Sequence, residues 1–412
     1  GAGSGVNQTL THVKCLQRPR CDRVCGGTVR DNGVLGSNSL LPIIDSAGES
    51  GATSNPISDP RDHANEGWGV SGYTGRMAAH MQNRTEGTRH PRLLGGDTAR
   101  SARAESLVDL SNRVLDNRQT RTLDSRRKPA WIRAQVPGGD AYLSLRSRIE
   151  GLGLHTVCQE ASCPNIGECW SRGTATIMVL GDTCTRSCGF CNVKTGRPPV
   201  TDLDEPRRVA TMLSDAGLRH VVITSVDRDD LPDGGAAIWA ETIERTKASC
   251  PDMTLEALVG DFKGNHEDLQ LVIDAAPDIL SHNVETVPRM HPAVRPQADY
   301  DRSIEVLRRI HDGGLTAKTS LMVGIGERDE EIMTTMRDIR KRARTDILTI
   351  GQYLQPTRNH LPIDRWVTPA AFDQWKDIGL DIGFRAVQSG PLVRSSYHAE
   401  EHARAVGTTR EA

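Results

Sequence analysis

The sequence TIMVLGDTCTRSCGFC, residues 176–191, joins a short apolar run to three closely spaced cysteines. The apolar run has the length of a buried strand, and Cys184, Cys188 and Cys191 follow it in a loop, separated by three and then two residues. A structural zinc site is closed by four ligands, whereas three thiolates leave one coordination position open. The stretch therefore predicts a strand whose carboxyl end carries an open iron–sulfur site.

A second cysteine triplet precedes that strand. It consists of Cys158, Cys163 and Cys169, separated by four and then five residues. A disulfide framework would pair its cysteines evenly, so two triplets indicate two iron–sulfur cubanes, each with a fourth iron completed by something other than cysteine. The alternative of zinc-bound or simply buried cysteines is disfavoured, because zinc pairs are usually two residues apart and come in fours.

Six short apolar runs alternate with amphipathic stretches of helical period. The runs are 176–180, 220–224, 254–259, 278–283, 315–323 and 346–351. Continuous apolar strands joined by helices predict a parallel sheet, and the repeat predicts an α/β fold, a partial (β/α)6 TIM-like barrel with N-terminal and C-terminal extensions. In such barrels the chemistry lies at the carboxyl ends of the strands.

Four residues at that predicted edge are candidates for cofactor binding. Asn283 and Glu285 follow the fourth run, where they could bond a cofactor or simply cap the strand end. Gly324 and Gly326 follow the fifth run, where glycine lets the backbone approach a ligand closely, although a Gly-x-Gly turn is also common by itself.

Residues 1–125 contain two aromatic residues, Trp68 and Tyr73, and no sustained apolar period. Such a composition predicts a largely disordered extension. It lacks an initiating Met and an apolar signal core, so the sequence predicts no targeting role for it. This extension also contains Cys15, Cys21 and Cys25, for which an incidental role is favoured over a third cluster.

The predicted boundaries are 126–173 for the N-terminal extension with the first triplet, 174–352 for the barrel, 353–399 for the C-terminal extension and 400–412 for a tail. Cys250 is interpreted as a lone structural thiol.

The formal net charge of −2 gives no basic footprint for nucleic acid, and no run reaches the roughly eighteen apolar residues of a membrane span. Cysteines suited to iron predict a reducing, cytoplasmic location.

The loop at 184–191 resembles the cluster loop of the radical S-adenosylmethionine (SAM) enzymes. In that family an open iron binds S-adenosylmethionine, which is cleaved to a 5′-deoxyadenosyl radical. The segment CQEASCPNIGECW at 158–170 is similar to the auxiliary-cluster motif of the lipoyl synthase family. Further segments resemble that family in order: DRDDLPDGG at 227–235, HNVETV at 282–287, GQYLQPT at 351–357 and RSSY at 394–397.

The resemblance implies two [4Fe-4S] clusters and S-adenosyl-L-methionine as cofactors. It implies that a serine completes the auxiliary cluster, which we carry to Ser396 with Ser395 as the alternative. The implied reaction inserts sulfur at carbons 6 and 8 of a protein-bound octanoyl group. The implied partners are octanoylated lipoyl carrier domains, such as 2-oxoacid dehydrogenase E2 subunits and the glycine cleavage H protein, and a low-potential electron donor such as ferredoxin or flavodoxin.

Two positions depart from the family pattern. Gly260 stands where the family usually has proline, and Thr319-Ser320 stands where it usually has Ser-Gly. Two other functions stay open at this point. A methylthiotransferase would share the cluster loop but would normally append a basic RNA-binding module, and a non-enzymatic iron–sulfur carrier would need neither the barrel nor the glycine-containing strand.

Overall fold

A computed structural model describes residues 127–134 and 137–408 of the chain. The predicted extension at 1–125, including Cys15, Cys21 and Cys25, lies outside the described residues.

The described chain is built from short strands and helices that alternate after residue 174. The strands are β1 (His155–Thr156), β2 (Thr174–Val179), β3 (Thr183–Cys184), β4 (Lys194–Thr195), β5 (His220–Ser225), β6 (Thr254–Leu258), β7 (Ile279–Ser281), β8 (Thr316–Val323), β9 (Ile347–Gln352) and β10 (Ala386–Gly390). The helices are α1 (Asp140–Gly151), α2 (Val157–Glu160), α3 (Ile166–Ser171), α4 (Glu205–Ala216), α5 (Ala236–Ser249), α6 (His266–Asp274), α7 (His291–Val294), α8 (Tyr300–Asp312), α9 (Asp329–Ala343), α10 (Pro369–Ile382) and α11 (Ala399–Ala405). Two 3₁₀ turns lie at Phe262–Gly264 and Pro288–Met290.

The main sheet has eight strands in the order β1-β2-β5-β6-β7-β8-β9-β10. All strands from β2 to β10 in this order are parallel, and the predicted α/β fold with six barrel strands is confirmed. A seventh parallel strand, β10, pairs with β9 and lies within the predicted C-terminal extension. The short strand β1 pairs antiparallel with β2, so the segment with the first triplet also continues the sheet.

Helix α8 illustrates how the sequence produces the outer layer. The Asp299 carboxylate accepts a hydrogen bond from the backbone N–H of Arg302 at 3.0 Å and so caps the first turn. Ile304, Leu307 and Ile310 recur at helical spacing and are buried against the sheet. Caps and apolar stripes of this kind fix the helices outside the barrel.

The amino-terminal end of the barrel is closed by α11. Ala403 and Val406 pack with Ile279 and Ile347, the first residues of β7 and β9. Deeper in the barrel, Lys318 Nζ lies 2.7 Å from Glu256 Oε2, and both side chains are fully buried. Cys184, Asn283 and Gly324 follow β2, β7 and β8 and so lie at the opposite, carboxyl-terminal edge of the strands.

Among the described residues, no helix combines the length and the apolar character needed to cross a membrane.

Candidate active site

Cys184 is the last residue of β3, and its sulfur is held by backbone groups of the barrel. The Cys184 Sγ accepts hydrogen bonds from the N–H groups of Arg186 at 3.4 Å and Asp227 at 3.3 Å. The N–H and hydroxyl of Thr185 both donate to the Asp227 carbonyl, at 3.0 and 2.8 Å. The cysteine loop is therefore attached to the loop that follows β5.

Cys188 and Cys191 lie further along the same loop, between two other segments of the chain. The Gly189 N–H donates to the Val294 carbonyl at 2.9 Å, and the Gly189 carbonyl accepts from the Leu361 N–H at 2.9 Å. The His360 Nε2 lies 2.9 Å from the Cys191 carbonyl. The cysteine loop is thus held by the segments that follow β5, β7 and β9.

A buried arginine inside the loop makes the strongest of these attachments. The side chain of Arg186 is 2% exposed, and its Nε and Nη2 donate to the Asp229 carboxylate at 2.8 and 2.9 Å. Its Nη2 also lies 2.6 Å from Asp261 Oδ1, and its Nη1 lies 3.6 Å from Asp227 Oδ1. Burial alone would raise the pKa of Asp261, but the bonds to Arg186 outweigh it and hold that pKa well below its usual range.

Sequence reasoning missed the role of Arg186. The residue stands between two of the cysteines, but cysteine spacing carries no signal that its guanidinium is buried among carboxylates.

The auxiliary triplet lies on two short helices packed beside β2. Cys158 is in α2, Cys169 is in α3, and the Cys163 N–H between them donates to the Cys158 carbonyl at 2.9 Å. Trp170, next to Cys169, is buried and stacks on Tyr142 of α1 at 5.1 Å between ring centroids. The triplet therefore lies next to β2, at the edge of the sheet.

A hydrogen bond joins the segments that carry the two cysteine triplets. The Asn192 Nδ2 donates to the Glu160 carbonyl at 2.9 Å, which ties the chain after Cys191 to the auxiliary motif. Burial lowers the pKa of Arg394, and the negative charges of Glu285 and of an ionised Cys163 act in the opposite direction.

The chemistry of the donors fits iron–sulfur clusters. The seven cysteines that the described residues contain are all free thiols. Burial raises the pKa of Cys158 and Cys191 to about 11 and that of Cys188 to about 12, so these thiols stay protonated at neutral pH until a metal displaces the proton. Buried, soft sulfur donors are the ligand set that such clusters take.

In the part of the chain that the structure describes, no group of three or more His, Cys, Asp or Glu side chains is placed to hold a single metal ion. In a cubane each thiolate binds a different iron, so the cysteines need not converge on one point.

The loop with the two candidate serines lies between β10 and α11, beside the auxiliary motif. The Asn165 Nδ2 donates to the Leu392 carbonyl at 2.6 Å, ahead of the serines. After them, the Tyr397 hydroxyl lies 3.2 Å from both Glu168 carboxylate oxygens, and the His398 Nε2 lies 2.9 Å from Glu168 Oε1. Ser395 and Ser396 therefore lie between two attachments to the auxiliary motif.

Gly351 provides the space for this loop. A Cβ at Gly351 would lie 2.0 Å from the Val393 carbonyl oxygen, so only glycine permits the loop to cross the end of β9 this closely. Sequence analysis included Gly351 in a family-like segment but assigned it no role.

Asn283 and Glu285 lie together just after β7. The Asn283 Nδ2 donates to Glu285 Oε1 at 2.9 Å, and the Glu285 N–H donates to the Ser320 carbonyl at 2.9 Å. Glu285 has a positive φ of 69°, in the left-handed region. The Asn283 Oδ1 is buried and has no hydrogen-bond partner among the described residues, which leaves one acceptor open.

The glycines after β8 are crowded by the chain itself. A Cβ at Gly324 would lie 2.2 Å from Gln352 Nε2 and 2.5 Å from the Arg365 carbonyl oxygen. The Glu327 carboxylate accepts from the N–H groups of Gly324 at 2.6 Å and Gly326 at 3.2 Å. The side of Gly324 where a Cβ would lie is therefore occupied by protein, and the Glu327 carboxylate, for which the sequence predicted no role, fixes the turn.

The two departures from the family pattern have local explanations. A Cβ at Gly260 would lie 2.4 Å from Asp227 Oδ1, so the Asp227 carboxylate occupies the space that a larger residue would need. The Thr319 hydroxyl donates to the His282 carbonyl at 2.8 Å and accepts from the Val284 N–H at 3.2 Å. Thr319 thus ties β8 to the segment that carries Asn283.

Comparison with known families identifies two matching regions. Residues 178–339 match the radical SAM superfamily, and residues 85–163 match the N-terminal domain of lipoyl synthase of the radical SAM family. The second match begins before residue 125, inside the segment that the sequence predicts to be an extension.

Individual proteins show the same similarity. The lipoyl synthase of Rubrobacter xylanophilus is 57% identical over 276 residues, which cover 66% of this chain and 86% of that protein. The lipoyl synthase of Christiangramia forsetii is 50% identical over 276 residues, which cover 67% and 94%. The solved structure of SuiB from Streptococcus suis bound to S-adenosylmethionine has a TM-score of 0.39 and 11% identity, covering 53% of this chain and 51% of that chain. By its identity to the two lipoyl synthases over most of their length, this chain belongs to the lipoyl synthase family of the radical SAM superfamily.

Proposed function

We propose that this chain catalyses the reaction of its family, the replacement of one hydrogen on each of carbons 6 and 8 of a protein-bound octanoyl group by sulfur. The observation that carries the proposal is the juxtaposition of two cysteine triplets, tied together by the bond from Asn192 to the Glu160 carbonyl. The high identity to lipoyl synthases supports this reaction over a methylthiotransferase or an iron–sulfur carrier.

The cofactors of the family are two [4Fe-4S] clusters and S-adenosyl-L-methionine. We assign one cluster to Cys184, Cys188 and Cys191, and the auxiliary cluster to Cys158, Cys163 and Cys169 with Ser396 as the oxygen donor and Ser395 as the alternative. When bound, these groups supply the radical that removes hydrogen and the sulfur that replaces it.

The remaining site residues orient and enclose the reactants. The buried Asn283 Oδ1 is an open acceptor that suits an amine or hydroxyl donor of S-adenosylmethionine. Glu285 holds the Asn283 amide in place through their 2.9 Å hydrogen bond. The turn at Gly324 and Gly326 shapes the neighbouring wall, and Glu327 keeps it rigid.

The proposed partners are an octanoylated lipoyl carrier domain and a low-potential one-electron donor. The finer assignments are an E2 subunit of a 2-oxoacid dehydrogenase or the glycine cleavage H protein as carrier, and ferredoxin or flavodoxin as donor. Free thiols that must bind iron need a reducing compartment, which supports a cytoplasmic location.

Mass spectrometry of the carrier tests the proposal. The reconstituted full chain is incubated anaerobically with an octanoylated carrier domain, S-adenosylmethionine and dithionite. We expect the octanoyl group to gain two sulfur atoms and lose two hydrogens, with formation of 5′-deoxyadenosine. The variant with Cys158, Cys163 and Cys169 replaced by Ala should still form 5′-deoxyadenosine but add no sulfur. An unmodified octanoyl group despite a full iron content would contradict the proposal.

A further inference from the structure

One short segment, residues 163–169, does two things at once. It contains two of the auxiliary cysteines, and it also holds both ends of the loop with the candidate serines. Asn165 bonds the Leu392 carbonyl at 2.6 Å on one side of the serines. Glu168 bonds the side chains of Tyr397 and His398 on the other side. The position of the loop is thus set by the same residues that set the positions of the cysteines.

The turn after the serines depends on Glu168 for its conformation. His398 has a positive φ of 53°, a left-handed conformation that is unfavourable for a residue other than glycine. Its Nε2 lies 2.9 Å from Glu168 Oε1, its Nδ1 lies 3.1 Å from Glu401 Oε1, and its ring stacks on Tyr397 at 4.0 Å. These contacts, two of which end on acidic side chains, offset the cost of the backbone conformation.

The loop is also confined on its other side. The Val393 carbonyl lies so close to Gly351 of β9 that no Cβ fits between them. The loop is therefore enclosed between the end of β9 and the helix α3 that carries Glu168.

We propose that Asn165 and Glu168 are positioning residues that fix the serine hydroxyl beside the auxiliary cysteines. The inference rests on the proposed function, because it takes a serine oxygen as the fourth donor of that cluster. A hydroxyl is a weaker iron ligand than a thiolate, so its binding cannot also meet the entropic cost of ordering a free loop. A loop held in advance at both ends removes that cost.

The test isolates the auxiliary cluster. In the full chain, Cys184, Cys188 and Cys191 are replaced by Ala, so that only the auxiliary site can be loaded. Glu168→Ala is then compared with the matched control Glu150→Ala, which removes the carboxylate of a 2.7 Å ion pair with Arg146 on α1. The readouts are iron per chain and the electron paramagnetic resonance signal of the three-iron form after mild oxidation.

We expect Glu168→Ala to raise the fraction of the three-iron form several-fold and to release about one iron per chain, because each cubane holds four irons and one has lost its preordered ligand. Glu150→Ala should match the parent. Tyr397→Phe combined with His398→Gln should reproduce the effect, and adding Glu168→Ala to that pair should change little more, since the residues act as one unit. Tyr397→Phe alone removes a single hydroxyl and serves if Glu168→Ala does not fold.

Two results separate the inference from the proposed function. If Ser395→Ala or Ser396→Ala raises the three-iron fraction but neither Glu168→Ala nor the Tyr397 and His398 changes do, the positioning role is wrong and the serine ligand stands. If the chain without Cys184, Cys188 and Cys191 binds no cluster, the auxiliary site assigned under the proposed function is wrong, and the positioning role falls with it.

Discussion

The two cysteine sites are held in opposite ways. The barrel-mouth loop, residues 184–191, is fixed by Arg186, which is 2% exposed and bonded to Asp229 and Asp261 at the ends of neighbouring strands. The auxiliary site is held by Glu168, which is 29% exposed and bonded to residues near the far end of the chain. Removing one partner of a buried ion pair costs more stability than removing one partner of a half-exposed pair. The first site is therefore a fixed part of the barrel, while the second depends on the contacts that Glu168 makes with the loop after β10.

The largest expected effect comes from removing either set of ligands. Replacing Cys184, Cys188 and Cys191 by Ala should abolish cleavage of S-adenosylmethionine and remove one cluster. Replacing Cys158, Cys163 and Cys169 should remove the other cluster and leave part of the cleavage. Iron content and 5′-deoxyadenosine, measured by chromatography, separate the two outcomes. Full cleavage in the first variant would show that the assignment of the two triplets is wrong.

Loss of the buried arginine should be the next largest effect. Arg186→Leu leaves Asp229 and Asp261 without their main partner, so we expect the free energy of unfolding to fall by about 3–5 kcal/mol. The control Arg207→Leu removes an exposed pair with Asp204 and should cost less than about 1 kcal/mol. Urea denaturation of both variants measures the difference. Equal losses would mean that the barrel-mouth loop does not depend on its buried charge.

A smaller and more local effect is expected at Gly351. The Cβ of Gly351→Ala would lie 2.0 Å from the Val393 carbonyl, so the serine loop must move, at a cost of about 1–3 kcal/mol. Iron should be lost from the auxiliary site while cleavage of S-adenosylmethionine continues. Gly151→Ala at the end of α1, where no atom lies within 4 Å of the new Cβ, is the control. Loss of cleavage in the Gly351 variant would show that the two sites are not independent.

The smallest expected effect is on the pH dependence of stability, through a histidine buried inside the barrel. Burial lowers the pKa of His220 to about 3, and neither ring nitrogen has a partner within the described chain. Because the folded-state pKa lies below the unfolded value of about 6.5, the unfolded chain binds more protons in acid. The stability that comes from keeping the His220 imidazole neutral is complete above about pH 6.5, and it is lost as the pH falls towards 3.

His220→Leu should therefore reduce the loss of unfolding free energy between pH 6.5 and 5.5 by about 1 kcal/mol. Denaturation of the parent and of the variant at several pH values measures both slopes. A slope that His220→Leu does not alter would mean that this imidazole is protonated in the folded barrel.

The strands and helices of the barrel could be predicted from the sequence more completely than the tertiary contacts between them. The six runs from 176 to 351 were recognisable because strand and helix periods are local properties of the sequence. The strand β10, Ala386–Gly390, lies outside the six predicted runs, and pairing with β9 determines its length. Tertiary pairing of this kind leaves little trace in the local pattern.

The candidate site shows the same division. Cysteine spacing is local, so both triplets were visible, but Arg186 and Glu168 act through partners far along the chain. Gly324 is crowded by Gln352, a contact that the local sequence does not reveal, and its role in cofactor binding stays a prediction. Whether Ser395 or Ser396 is the ligand remains a prediction for the substitutions described above.

The long connection between Glu168 and the serine loop has a consequence for biogenesis. Tyr397 and His398 lie 229 and 230 positions after Glu168, whereas Cys184, Cys188 and Cys191 leave the ribosome almost together. Chains are made from the amino terminus, and contacts between distant residues form late. During synthesis the three auxiliary cysteines are therefore complete long before their oxygen donor exists, which leaves them open to cluster delivery until the last strand has been made.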